Sequence, residues 1–226
     1  ATWQKQEDAS LHYTVRGQVR QLSLQRDALP TSPLAMLPGA QAAQLEFDFT
    51  QKSGKARVSI SNGKVTLPYG LDDPRLVLND AAVQLTWQHE ADRLSVKFSQ
   101  GRVSNDDLAG EFSGQWQTGT GEHRLPGVLD LTATFSRGKV GEVHRYLPEA
   151  LSAKVRDYVR EAVQAGTLGK TSVRVKGDLA QFPFADAKQG EFRIATQIAQ
   201  GRFAYVLPQP KAPRWPALTD IQGDLV

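Results

Sequence analysis

Gly169-Lys170-Thr171 reproduces the last three positions of the phosphate-binding loop G-x-x-x-x-G-K-[ST], in which backbone N–H groups cradle phosphate and the lysine pairs with it. The other end of the motif is missing: its first glycine belongs at position 164, which is Gln164, and Gly166 stands too late to replace it. The order of elements is reversed as well. Leu151, Val155, Tyr158 and Ala162 recur at helical spacing before the tripeptide, and Val173-Arg174-Val175 reads as a strand after it. A phosphate loop instead leads from a strand into the positive N-terminus of a helix. The tripeptide therefore reads as a connection after a helix capped by Gly166, because glycine adopts the left-handed cap conformation at least cost.

No other group of residues offers a seat for catalysis. His12, His89, His123 and His144 are scattered, and none forms H-E-x-x-H or another close metal-ligand spacing. Asp72-Asp73 precedes Pro74, and Asp106-Asp107 follows Asn105, so both acidic pairs read as turn chemistry ahead of a calcium site or a glycosidase pair. No serine stands in a G-x-S-x-G elbow, and Gly119-Thr120-Gly121 lacks the third glycine and the preceding strand of a dinucleotide fingerprint. The expectation is a protein that is not an enzyme, with no metal and no cofactor.

The elements around these residues decide what else the chain can do. Its 226 residues, 40% of them hydrophobic, are enough for a sizeable core. The 27 basic and 24 acidic side chains are interspersed, so no basic block marks nucleic acid as a partner. Without cysteine there is no disulfide framework and no thiol nucleophile, and either redox compartment is compatible. No apolar run approaches the roughly 20 residues of a membrane span.

Most of the sequence alternates apolar and polar residues with period two, as in strands with one dry and one wet face. The clearest runs are Leu45 to Phe49, Val83 to Trp87, Leu94 to Phe98, Leu129 to Phe135, Val173 to Val175 and Phe192 to Ile198. Shorter runs surround Val58, Val65, Leu76, Leu108 to Trp116 and Phe203. Turn signals such as Ser53-Gly54, Asn62-Gly63 and Pro126-Gly127 stand between them. A second pattern lies on top: Gly63-Lys64-Val65, Gly101-Arg102-Val103, Gly138-Lys139-Val140 and Gly201-Arg202-Phe203 each read as the start of a strand. They recur about every 37 residues once the helix-bearing stretch from Gly141 to Gly166 is set aside. The helix itself is expected from about 148 to 165. Periodicity alone leaves two architectures open: a sandwich or barrel whose sheets cover each other, and an open curved sheet whose dry face takes an apolar ligand.

The stretch from Phe135 to Phe184 holds Arg145-Tyr146-Leu147-Pro148 ahead of the helix, a glycine after it, then Lys176-Gly177-Asp178-Leu179 and Phe182-Pro183-Phe184. In these elements it resembles the YhdP family of AsmA-like proteins. Gly190-Glu191-Phe192 and Trp215-Pro216-Ala217-Leu218 follow in order, and Leu37-Pro38-Gly39 and Val83 to Trp87 resemble the preceding part of the same family region. The resemblance implies a fragment of a larger, bridge-type lipid transfer protein of the Gram-negative envelope. Such a protein is held in the inner membrane by an anchor outside this fragment, extends through the periplasm, and shields phospholipid or other acyl lipid on its way to the outer membrane, with envelope proteins as further partners. The expected fold is mainly β, an elongated curved antiparallel sheet forming an open groove. Residues 1–140 form a repeating groove segment, 141–168 a helical insertion and 169–226 the groove's continuation.

Strand parity then names the expected groove lining: Phe47, Phe49, Val58, Ile60, Leu85, Trp87, Val96, Phe98, Leu129, Leu131, Phe135, Val173, Val175, Phe192, Ile194 and Ile198. The helix stripe of Leu151, Val155, Tyr158 and Ala162 either packs against the sheet or plugs part of the groove. The alternative function is a structural, glycan-binding or protein-binding envelope module whose β core seals itself.

Overall fold

The computed structural model describes residues 2–5, 11–25, 38–67, 70–120, 124–207 and 215–226. They form one sheet of twelve strands in which every pairing is antiparallel. The strands are β1 (Thr2–Lys5), β2 (Leu11–Leu24), β3 (Gly39–Thr50), β4 (Ser53–Thr66), β5 (Arg75–Glu90), β6 (Arg93–Ser104), β7 (Leu108–Gln117), β8 (Val128–Lys139), β9 (Val163–Leu168), β10 (Thr171–Asp178), β11 (Gly190–Phe203) and β12 (Leu218–Leu225). From β1 to β8 each strand pairs with the next, the low-cost topology for alternating runs joined by short turns. No second sheet lies against this one among the described residues, which speaks against the sandwich of two sheets that periodicity left open.

Between β8 and β11, the segments β9 and β10 run end to end in the same direction. They act as one strand broken at Gly169-Lys170, and the apparent phosphate loop is this break. The Gly169 N–H is bound by the Gln197 carbonyl at 2.8 Å, and the Thr171 hydroxyl lies 2.6 Å from that of Thr196 on the neighbouring strand.

The recurring tripeptides mark bends inside long strands, where the sequence pattern placed strand starts. Gly63, Gly101 and Gly201 lie within β4, β6 and β11, and Gly138 lies near the end of β8. Just ahead of three of them stand left-handed residues, Asn62 (φ 51°), Gln100 (φ 49°) and Gln200 (φ 55°), and Gln21, Ala42 and Asp220 repeat the conformation on other strands. The register shifts at the same level in pair after pair: Val19/Leu22, Gln41/Ala43, Phe98/Gly101 and Ile198/Gly201. One extra residue per strand keeps the apolar side chains on the same face on both sides of the bend. The glycine is required by space: a Cβ at Gly101 would sit 2.6 Å from the Phe112 carbonyl oxygen.

The chain between β8 and β9 holds a 3-10 segment, Val140–Tyr146, and the helix α1, Ala153–Ala162. The helix starts later and ends earlier than the expected span of 148–165, so Leu151 precedes it. Ser152 is the N-cap, its hydroxyl accepting from the Val155 N–H at 3.4 Å, and pairing with β11 draws Val163–Leu168 into the sheet. Gly166 is consequently a strand residue with φ 135° and no helix cap. No helix among the described residues is long and apolar enough to cross a membrane.

The insertion is tied to turns at the end of the sheet where it emerges. Asn105 Nδ2 donates to the Tyr146 hydroxyl at 2.9 Å, and that hydroxyl donates to Asp107 Oδ2 at 3.1 Å. Arg145 pairs with the same carboxylate. Farther along, the Asp72 N–H donates to the Leu147 carbonyl at 3.2 Å, the Glu149 N–H donates to Gly70 at 3.0 Å, and Arg156 Nε lies 3.1 Å from Asp72 Oδ1. The acidic pairs thus serve turns, as their flanking residues suggested, and Asp72 and Asp107 also latch the insertion.

Candidate functional site: an uncovered apolar sheet face

Residues paired directly across antiparallel strands point to the same face, so the register assigns every side chain to one side of the sheet. One row reads Gly17, Phe47, Ala56, Leu85, Phe98, Gly114, Leu131, Val175 and Phe192 from β2 to β11. The neighbouring row toward the hairpin turns reads Val15, Phe49, Gly54, Trp87, Val96, Trp116 and Leu129. On the other side Val58 pairs with Val83, and Val173 with Ile194. Ile60 pairs with Ala43 and Ala81, Phe135 with Gly110, and Ile198 with Leu168. All the residues expected from parity to line a groove therefore share one face.

Sequence reasoning missed several members of that face, notably Leu45, Val83, Phe112 and Trp116. Leu45 and Val83 open runs that were recognised, and parity alone would have included them. Phe112 and Trp116 alternate with Gly110 and Gly114, so glycine hides their period in the sequence. These glycines serve the aromatic rings. A Cβ at Gly114 would lie 2.8 Å from the Phe98 ring, one at Gly17 2.8 Å from Phe47 and one at Gly110 2.5 Å from Phe135. The rings lie over the glycines of adjacent strands and pack sideways within the sheet. Phe47 with Phe49 and Phe49 with Trp87 meet at ring-centre distances of 5.6 Å and 6.2 Å, and Phe98 meets Phe112 at 6.2 Å.

Little covers this face. No large side chain among the described residues is fully buried, and Phe192 and Ile194 are each 39% exposed. The tightest packing is at the bend, where Ala43 is 0% exposed and Ile60 and Leu78 are 4% exposed. Phe182 and Phe184 of the β10–β11 loop cover one corner: Phe182 packs edge-on against Phe192 at 5.1 Å, and Phe184 lies over Gly177 and Gly190. Of the helix stripe, Ala162 is buried and Leu151 half-buried, while Val155 and Tyr158 are exposed. The Tyr158 ring touches Phe203 edge-on at 6.3 Å, and its hydroxyl donates to the Tyr205 carbonyl at 3.0 Å.

The opposite face is polar and carries cross-strand ion pairs: Arg16 with Asp48 at 2.7 Å, Arg102 with Asp80 at 2.9 Å, and Arg174 with Asp130. The Arg174 guanidinium holds the Asp130 carboxyl below the usual aspartate range. A concavity of about 640 Å³ at the hairpin end is lined by residues of both parities, among them Lys55, Thr86, Lys97 and Gln115 with Trp87 and Val96. Its one carboxylate, Asp48, is paired with Arg16, and no histidine lines it. His144 Nδ1 lies 3.1 Å from the Gly141 carbonyl, and His12 Nδ1 lies 2.8 Å from Gln51 Nε2. His123 falls outside the described residues. No group of three or more metal-ligating side chains is found among the described residues.

No curated protein and no solved structure matches the chain. A family described as "YhdP protein" matches it from residue 1 to residue 226, its whole length. The chain belongs to the YhdP protein family.

Proposed function

We propose that this chain is a segment of a periplasm-spanning lipid transfer protein that shields phospholipid acyl chains in an apolar β-sheet groove between the inner and outer membranes. The supporting observation is the apolar face, continuous in register from β2 to β11 with no second sheet on it among the described residues. Membership of the YhdP family supports a role in lipid transport. On this reading residues 1–140 and 169–226, joined in the sheet by β9, form the groove, and the rest of 141–168 is an insertion at one rim. An anchor elsewhere in the full-length protein holds it to the inner membrane, envelope proteins join it at its ends, and no catalytic step is involved.

The energetics suit a passive conduit. Burying a methylene gains about 0.8 kcal/mol, so one acyl chain of about 16 carbons gains on the order of 10 kcal/mol on a continuous dry surface, and no energy-coupling site is required to hold it. The polar headgroup stays in water at a rim.

Adjacent residues of opposite parity test this. Leu131 lies on the apolar face and Thr132 on the polar one. An unpaired charge in an apolar site costs several kcal/mol, so Leu131→Asp in the full-length protein is expected to stop lipid delivery while Thr132→Asp leaves it intact. Thermal unfolding of both variants is measured alongside. A folded Leu131→Asp protein that still delivers lipid at the normal rate overturns the reading.

A further inference from the structure

The apolar face is not uniform, and the bend divides it. On the insertion side, Ala43, Ile60 and Leu78 fill the surface themselves, with Leu22, Ala40 and Leu76 packed around them. At the same level the Thr171 and Thr196 hydroxyls, both buried, satisfy each other at 2.6 Å. A hydroxyl pair closed on itself offers nothing to a hydrocarbon chain, and protein atoms already occupy the apolar space beside it. Beyond the bend, the 3-10 segment and α1 occupy the end of the sheet, and Tyr158 rests on Phe203.

The hairpin side is filled less closely. Its rings lie over glycines, so Phe47 and Phe98 form a low floor with Leu85 and Leu131 between them in the same row. Leu85, Phe98 and Leu131 are half-buried under no second sheet among the described residues, and the row runs past the buried Val175 to Phe192, which is 39% exposed beside the Phe182 ring. Same-face rows stand about 6.7 Å apart along a strand. The rows ending at Leu129, Phe192 and Ile194 thus make a lane roughly 13 Å wide, bounded by the packed bend on one side and the hairpin turns on the other.

We propose that acyl chains are confined to this hairpin-side lane, with Leu85, Phe98 and Leu131 on its floor, and that the bend is a protein-filled wall that lipid does not enter. This rests on the lipid-groove reading above. Ile60, although it shares the face, belongs to the wall.

A leucine analogue bearing a photo-reactive diazirine, incorporated in place of leucine throughout the full-length protein in cells, tests this without enlarging any side chain. After illumination, adducts are mapped by peptide mass spectrometry. Lipid adducts are expected at Leu85 and Leu131, while Leu76 and Leu78 give protein crosslinks only. Lipid adducts at Leu76 or Leu78 overturn the wall and leave the groove reading standing. Their absence at every leucine overturns both.

Discussion

Asp107 shows at the scale of single residues how a turn signal becomes a structural lock. Its side chain is buried, faces Arg145 and the Tyr146 hydroxyl, and follows Asn105, whose amide oxygen accepts from two backbone N–H groups at 2.9 Å each. That Asn105-Asp106-Asp107 forms a turn was legible, because short polar side chains satisfy local backbone donors. Its partners, Arg145 and Tyr146 from a distant segment, were not, since nothing in either stretch encodes their meeting. Burial pushes the Tyr146 phenol above its usual value of 10.0, against the hydrogen bond from Asn105. A raised folded value makes the sign definite. Below pH 10 the phenol is protonated in both states, and above it the unfolded chain releases its proton first, so stability falls as pH rises through the folded value. Tyr146→Phe should flatten this alkaline decline and cost about 1 kcal/mol at neutral pH for the lost hydrogen bonds. Urea unfolding of the two proteins at pH 7 and above pH 10 checks both parts, and an unchanged alkaline slope would count against the buried phenol.

Among the elements, strands were legible where both parities alternate cleanly, as in Leu129 to Phe135, and illegible where glycine replaces the apolar member, as at Gly110 and Gly114. The tripeptide recurrence was visible, but its meaning was not: Asn62-Gly63 is ordinarily a hairpin signal, and only pairing on both sides reveals it as a bend within β4. The end of the helix was misplaced for a related reason. Val163 to Leu168 continues an acceptable helical pattern, and tertiary pairing with β11 overrides it. Gly166 now needs its glycine for a different reason, because a Cβ there would meet the Gly201 Cα and the Val140 Cβ, each at 3.1 Å, with φ at 135°. Gly166→Val should therefore destabilise by about 1 to 3 kcal/mol while leaving the helical circular-dichroism signal of the folded state intact. Gly223→Ala, with nothing within 4 Å, and Lys170→Ala, exposed in the strand break, should change little. Loss of helix in folded Gly166→Val would restore the capping role.

For the whole molecule, the decisive property is that a sheet this large leaves its apolar face uncovered by any second sheet among the described residues. Alternation announced a dry face but not whether another layer covers it, because the inward pattern of a sandwich strand and of an open sheet is the same. An uncovered face has a thermodynamic signature that a sealed core lacks. A ligand that binds only the folded state stabilises it by about 2.7 kcal/mol at 100 times its dissociation constant. Each methylene added to an acyl chain contributes about 0.8 kcal/mol, so affinity should rise about fourfold per carbon as long as the lane remains continuous. Titrating the chain with single-chain phospholipids of increasing length, each kept below its micelle concentration, should raise the unfolding midpoint in a graded series. Phe98→Asp should abolish the gradation, and Lys97→Asp, on the opposite face, should preserve it. A self-sealed module would show the same midpoint at every chain length, and that outcome would remove the basis for placing lipid on this face.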